Sequence, residues 1–301
     1  MKTWNTRPST SNFQGDAIRR DHFSVERSRL KVQGFRLVFL LAALFTANLQ
    51  AADSVWSRVV VIGASASGGF VLSEPFGGTN TTECKLNYYL DAAITAPHAP
   101  VKNFGTALLF LSSDALGAQE IAAATNSHPT LVVAADFLFW FCYGDGQTDA
   151  ERAQHFEAGL KLLERIRCPL LVGDIPDASS ATNSGIISTA QVPSEQARRA
   201  ANVRLKQWAA AHPQVTVVPL AAFMREVKAN RAIKLHDLTL PAGTTRALIQ
   251  ADGLHPKPRG AAVLSLGILD ALVKLQPHFS AREIHWDINR VFQDGLKKAG
   301  R

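Results

Sequence analysis

The segment Val59-Val60-Val61-Ile62-Gly63-Ala64-Ser65-Ala66-Ser67-Gly68-Gly69 constrains this chain more than any other. Four β-branched residues in succession favour a strand, and apolar character at every position implies a strand covered on both faces. The run ends abruptly in residues too small to continue it. A buried strand that passes into a tight turn presents the polar side chain at that turn, here Ser65. Strands of this kind occur in parallel sheets packed between helices.

The rest of the chain repeats the pattern. Residues 101–105, 130–135, 169–173 and 215–219 read as strands, the third strand continuously apolar after Pro129. Between them, residues 84–95, 106–124 and 150–167 read as helices, the last capped by Asp149. Ser194 caps a further helix over 195–211, and another lies near 220–230. Residues 232–250 leave room for an extra hairpin, and 260–275 form a helix apolar enough to be buried. An amphipathic helix over 281–298 carries Ile284, Ile288, Val291 and Phe292 on one side. The Ser/Asn/Gly/Pro-rich loop 174–193 is long enough to be functional. No linker or repeat divides residues 52–301. The expected fold is therefore one α/β domain, a three-layer α/β/α sandwich around a mainly parallel sheet. Ligands of such sheets gather at the carboxyl ends of the strands. Ser65, Gly105 and Asp136 each follow such an end.

The net charge of +7 suggests a polyanion-binding protein until its distribution is read. Residues 1–51 hold eight Lys/Arg against three acids, so the body is nearly neutral. A nearly neutral body offers no basic footprint for nucleic acid. The same leader has positive charge, then the apolar run 35–45, then small residues at Ala47, Ala51 and Ala52. That is the layout of a signal peptide cleaved near Ala51, with an over-long or mis-started n-region. The run is too short for a comfortable membrane span. The expectation is an exported protein, periplasmic or secreted, with no stable membrane insertion after cleavage. Export permits one disulfide among Cys84, Cys142 and Cys168. Their spacing suggests no metal site, and Cys168 reads as core.

Far downstream lies Asp252-Gly253-Leu254-His255-Pro256. A serine hydroxyl is a weak nucleophile and needs a base, which needs an orienter. One turn of chain can present both: Asp252 holds Nδ1–H of His255, leaving Nε2 to face Ser65. Attack on a carbonyl creates an oxyanion, for which the backbone N–H groups of Ser65 and Gly105 are the candidate donors. The remaining histidines, His98, His128, His155, His212, His236 and His278 among them, read as solvated. The aromatic cluster 137–143 reads as core, with the wall of an apolar acyl pocket as the alternative.

These motifs together resemble the SGNH (GDSL-type) hydrolases over roughly residues 57–275. Gly63-Ala64-Ser65 stands where that family has strand-Gly-Asp-Ser, with Ala64 in place of an Asp outside the triad. Asn103-Phe104-Gly105 resembles the second block, whose glycine donates to the oxyanion. Asp252-Gly253-Leu254-His255-Pro256 matches the last block. The third, normally Gly-x-Asn-Asp, is represented by Asp136-Phe137-Leu138-Phe139-Trp140 without its asparagine. Asn80 or Asn183 are the loop amides that could replace it. The resemblance implies a flavodoxin-like sheet and a serine esterase or lipase-type hydrolase. It would act on small-molecule, glycan or lipid esters through an acyl-enzyme, with no cofactor or metal. The rivals are a non-catalytic ligand-binding module and an O-acyltransferase acting on cell-envelope glycans.

Overall fold

The computed structural model describes residues 54–144 and 148–300. The leader read over residues 1–51 and most of the Gly144-Asp145-Gly146 turn lie outside them.

Five strands form one parallel sheet: β1 (Val59–Val61), β2 (Lys102–Asn103), β3 (Leu131–Ala134), β4 (Leu170–Gly173) and β5 (Val215–Val218). Their order is β2-β1-β3-β4-β5. All residues of β1, β3 and β4 are buried, as their unbroken apolar character requires. Successive side chains divide between two cores. Val59, Val61, Leu131, Val133 and Leu171 join one; Val60, Ile62, Val132, Leu170 and Val172 join the other. Each fully buried Val or Leu contributes about 1.5–3 kcal/mol relative to exposure, so the sheet is pinned from both sides.

Among the described residues, ten helices surround it: α1 (Ser65–Gly68), α2 (Thr79–Glu83), α3 (Leu86–Ala93), α4 (Ser113–Asn126), α5 (Phe139–Cys142), α6 (Asp149–Leu163), α7 (Glu195–Ala210), α8 (Leu220–Lys228), α9 (Pro258–Leu275) and α10 (Ile288–Lys298). The first core takes residues from α3, α8, α9 and α10. The second takes them from α4, α5, α6 and α7. The result is the three-layer α/β/α sandwich expected from the alternating pattern. An antiparallel hairpin, β6 (Ile233–Leu235) with β7 (Leu238–Leu240), fills the ambiguous stretch after α8.

Several local readings are corrected. The cap of α6 is Thr148, not Asp149: Thr148 Oγ1 accepts from Glu151 N at 3.2 Å, and Thr148 N–H donates to Glu151 Oε2 at 2.8 Å. Asp149 instead opens the first turn, where a negative charge suits the helix dipole. The last helix begins at Ile288, capped by Asp287, rather than at residue 281. Ile284 is diverted into an isolated bridge with Ile94. All three cysteines are free, and burial raises the thiol pKa of Cys84 and Cys142 to about 12. Not every other histidine is solvated. His98 Nδ1 lies 2.7 Å from Ala96 O, and the ring of His236 stacks on Trp286.

Candidate active site

The carboxyl end of β1 is built around Gly63, whose φ is +138°. A Cβ there would fall 2.3 Å from Asp136 Oδ1 and 2.9 Å from Ser67 Oγ. Only glycine leaves the space for Asp136 to close on the turn that follows. Asp136 Oδ1 accepts Ala64 N–H at 3.0 Å and the Ser67 hydroxyl at 2.5 Å. Its Oδ2 accepts Ala66 N–H at 2.7 Å and Ser67 N–H at 3.3 Å. One carboxylate thus grips the chain on both sides of Ser65.

A second buried acid, Glu120 on α4, supports the same corner. Its Oε2 accepts Gly63 N–H at 2.8 Å, and its Oε1 accepts Thr106 N–H at 3.1 Å. It therefore ties the end of β1 to the loop that follows β2. Burial pushes the Glu120 carboxyl up to about 8; the Gly63 N–H opposes this and the nearby Asp136 charge adds to it. Asp136 is also raised by burial, against the pull of Ser67 and the N–H groups it accepts.

His255 and Asp252 arrive from a loop closed at its base by an isolated bridge between Ile249 and Pro256. Gln250 N–H donates to His255 O at 2.8 Å, and Lys257 N–H to Leu248 O at 2.8 Å. Gly260, early in α9, lets the helix approach: a Cβ there would lie 1.9 Å from Leu248 O. The Gln250 side chain donates to Phe70 O at 2.7 Å and Pro256 O at 3.0 Å, joining this loop to the segment after Ser65. The Phe70 ring packs on the imidazole with centroids 4.4 Å apart.

These supports bring the three distant residues into one line. His255 Nε2 lies 2.8 Å from Ser65 Oγ, and its Nδ1 lies 2.8 Å from Asp252 Oδ2. Asp252 Oδ1 accepts the N–H groups of Leu254 at 2.9 Å and His255 at 3.0 Å. Burial works against charge on Asp252, but the His255 hydrogen bond and field, with the two N–H groups, outweigh it. The carboxyl is held below its usual range. An ionised acid on Nδ1 fixes the tautomer that leaves Nε2 able to take a proton. Asp252 and His255 are buried, whereas Ser65 is half-buried.

The candidate oxyanion donors are placed less evenly. The Ser65 N–H has no protein partner among the described residues. The Gly105 N–H does have one: it donates to Asn103 Oδ1 at 2.9 Å. Gly105 is thus not the free donor that the sequence suggested. Asn103 Nδ2 donates in turn to Ser67 O at 2.8 Å and Asn87 Oδ1 at 3.1 Å, so its amide is held in place. Asp136 does not face a developing charge as a lone carboxylate; it belongs to the scaffold of the turn. Neither loop asparagine fills the third-block position. Asn80 donates to Glu74 Oε1 at 2.5 Å, and exposed Asn183 lines neither cavity beside Ser65.

Those two cavities meet at Ser65 and His255. One, of about 50 Å³, is walled by buried residues that include Phe139, Met224, Leu248 and Leu264. The other is a groove of about 350 Å³ lined by Phe70, Phe76, Leu108, Phe110 and Trp140. The aromatic cluster is therefore core and wall at once. Phe137, Phe141 and Tyr143 are fully buried, while Phe139 and Trp140 reach the two cavities.

The sheet order, Ser65 after β1 and the Asp-x-x-His-Pro loop before α9 combine in one arrangement. It is the arrangement that the resemblance to SGNH hydrolases implies. No protein-family model and no curated protein matches the sequence. Among solved structures, the chain is similar to a lipase/acylhydrolase from Enterococcus faecalis at 17% identity and a TM-score of 0.48. That likeness covers 74% of this chain and 100% of the other. A GDSL-like lipase from Bacteroides thetaiotaomicron is similar at 15% identity and a TM-score of 0.43, covering 79% of this chain and 95% of the other. A structure described as TesA is similar at 17% identity and a TM-score of 0.42, covering 73% and 99%.

Sequence reasoning missed Glu120, Ser67, Asn103, Gln250 and Phe70. Only Glu120 left a signal. It shares the buried face of α4 with Gly117, Ile121 and Ala124, and a carboxyl at that helical spacing has no reason to be there unless it is bonded.

Proposed function

We propose that the protein is a serine esterase that cleaves carboxylic esters through an acyl-enzyme. The observation that carries this reading is the line Ser65 Oγ, His255 Nε2, His255 Nδ1 and Asp252 Oδ2, with both hydrogen bonds at 2.8 Å. Ser65 Oγ attacks the ester carbonyl carbon as its proton passes to His255 Nε2. The carbonyl oxygen takes the negative charge beside the Ser65 N–H, and Asp252 stabilises the imidazolium. The C–O bond to the alcohol then breaks, and His255 returns its proton to the departing alkoxide. Water enters, loses a proton to His255 and attacks the Ser65 ester. Collapse releases the acid and restores the serine.

The test is a fluorophosphonate probe followed by mass spectrometry. The wild-type protein becomes labelled at Ser65, and Ser65→Ala loses both labelling and ester hydrolysis while its circular dichroism is unchanged. Folded wild-type protein that resists the probe sinks the reading.

One observation favours a second reading, a binding module that does not turn over. The Gly105 N–H is already engaged, which leaves fewer free donors for an oxyanion. Such a module would bind an ester without labelling, and His255→Ala would leave its affinity unchanged. Export is part of the same proposal, supported by the charged and apolar leader. N-terminal sequencing of the protein from its native cells checks it, and a mature chain retaining residues 1–51 counts against it.

A further inference from the structure

Ser65 and His255 line two cavities of unequal size and exposure, and together these divide a substrate ester into two halves. The inference rests on the esterase reading above. We propose that the preferred substrates carry a short acyl group, acetyl or propionyl, on an alcohol with a wide apolar face.

The direction of the ester follows from the chemistry of deacylation. After the alcohol leaves, water must reach the acyl carbon from the side just vacated, because His255 Nε2 serves both events. The alcohol half must therefore occupy the cavity that opens to solvent. The groove is that cavity: at its rim Phe76 is 91% exposed and Phe110 47% exposed. The opposite cavity is the smaller and has the more buried walls, with Leu248, Leu264 and Met224 at 4%, 5% and 7% exposure. Its occupant is the acyl chain, which stays on the enzyme between the two steps.

The smaller cavity sets the acyl length. Its volume is about 50 Å³. An apolar cavity of ~150 Å³ holds a benzene ring, or ~25 Å³ per carbon, so about two or three carbons fit here. The wall cannot easily retreat. Leu248 O is bonded to Lys257 N–H at 2.8 Å and packed against Gly260, so this side is backbone rather than a movable side chain. The polar residues of the lining are already occupied: Asp136 by the turn and His255 by Ser65 and Asp252.

The groove sets the alcohol. Among the described residues no charged side chain lines it, apart from whatever charge His255 acquires in the reaction. Phe110 and Trp140 meet at a centroid distance of 5.7 Å and form one aromatic wall. A flat apolar face would be buried favourably against such walls.

The experiment has two arms. In the first, 2-naphthylmethyl esters of acetic, propionic, butyric, hexanoic and octanoic acids are hydrolysed by the full chain. We expect kcat/KM to fall at least about tenfold from acetyl to hexanoyl, the loss a small pocket imposes on added methylenes. Met224→Ala and Leu264→Ala, each shown folded by circular dichroism, shift the optimum toward longer chains. A flat series, or one rising toward octanoyl, overturns the acyl assignment in the wild-type protein alone. In the second arm, 2-naphthylmethyl acetate is compared with ethyl acetate. The naphthylmethyl ester is expected to show a KM at least about tenfold lower, because its ring face is buried against the groove. Equal KM values overturn the alcohol assignment. If no ester is cleaved and Ser65 resists fluorophosphonate, the esterase reading fails and this inference fails with it. Hydrolysis with the opposite preferences overturns this inference alone.

Discussion

Asp136 Oδ1 accepts the hydroxyl of Ser67 at 2.5 Å, two residues beyond Ser65. The same carboxylate takes the N–H groups of Ala64, Ala66 and Ser67. The acid at the third-block position is therefore a clamp beneath the nucleophile turn, which it holds from the end of β3.

Asp136→Asn tests that clamp. An amide has one acceptor oxygen, so at least one of the N–H donors around Ser65 loses its partner. A buried donor left unpaired costs about 1–3 kcal/mol. We expect a lower urea midpoint together with a loss of kcat, because the Ser65 hydroxyl drifts from His255. A variant with full stability and full activity would show that the turn holds itself.

Asp252→Asn keeps the shape of the loop but presents an amide to His255 Nδ1. The imidazole is then held in the tautomer that cannot accept the serine proton. Ester hydrolysis is expected to fall by about three to four orders of magnitude with little change in KM, as for other Ser-His-Asp sites. Steady-state kinetics on a soluble ester reads both constants.

Gly63→Ala places a methyl group where Asp136 Oδ1 sits, 2.3 Å away, at a φ of +138°. Both strain and clash act on the same corner. The expected cost is about 2 kcal/mol or more, read as a drop in melting temperature. Gly77→Ala is the control. Its φ is also positive, at +105°, but a Cβ there meets nothing within 4 Å, so the difference between the variants isolates the clash.

Glu120 gives the protein a pH-dependent stability. Its carboxyl titrates near 8 in the folded chain, against an ordinary value of 4.5. Between these values the folded state holds a proton that the unfolded state has released. Stability therefore falls as pH rises across this window, with a slope of up to about 1.4 kcal/mol per pH unit. Urea denaturation from pH 5 to pH 8.5 measures it. Glu120→Gln, which resembles the protonated acid, should flatten the profile. An unchanged slope would assign it to other groups.

The layered fold was legible because it rests on local regularities. Unbroken apolar runs at β1 and β3 are best satisfied by burial on both faces, and the intervening helical spacing supplies the covers. Asp252 and His255 were legible as a pair because three residues of chain carry both. Ser65 was legible because the apolar run stops there. Element ends were less so. Thr148 rather than Asp149 caps α6, since capping depends on which side chain reaches back to Glu151.

The sequence alone determined the kinds of groups available: a serine at a strand end, an acid and an imidazole one turn apart, and an acid after β3. Tertiary structure decided what each of them does. Asp136 and Glu120 act on the backbone N–H groups of the turn after β1, 57 to 72 residues away in the chain, and no periodicity records such pairings. The engagement of Gly105 by Asn103, and the small buried cavity beside a wider aromatic groove, arise in the same way. They depend on how close separate segments come, which is set by packing across the sheet rather than by the pattern along any one strand or helix.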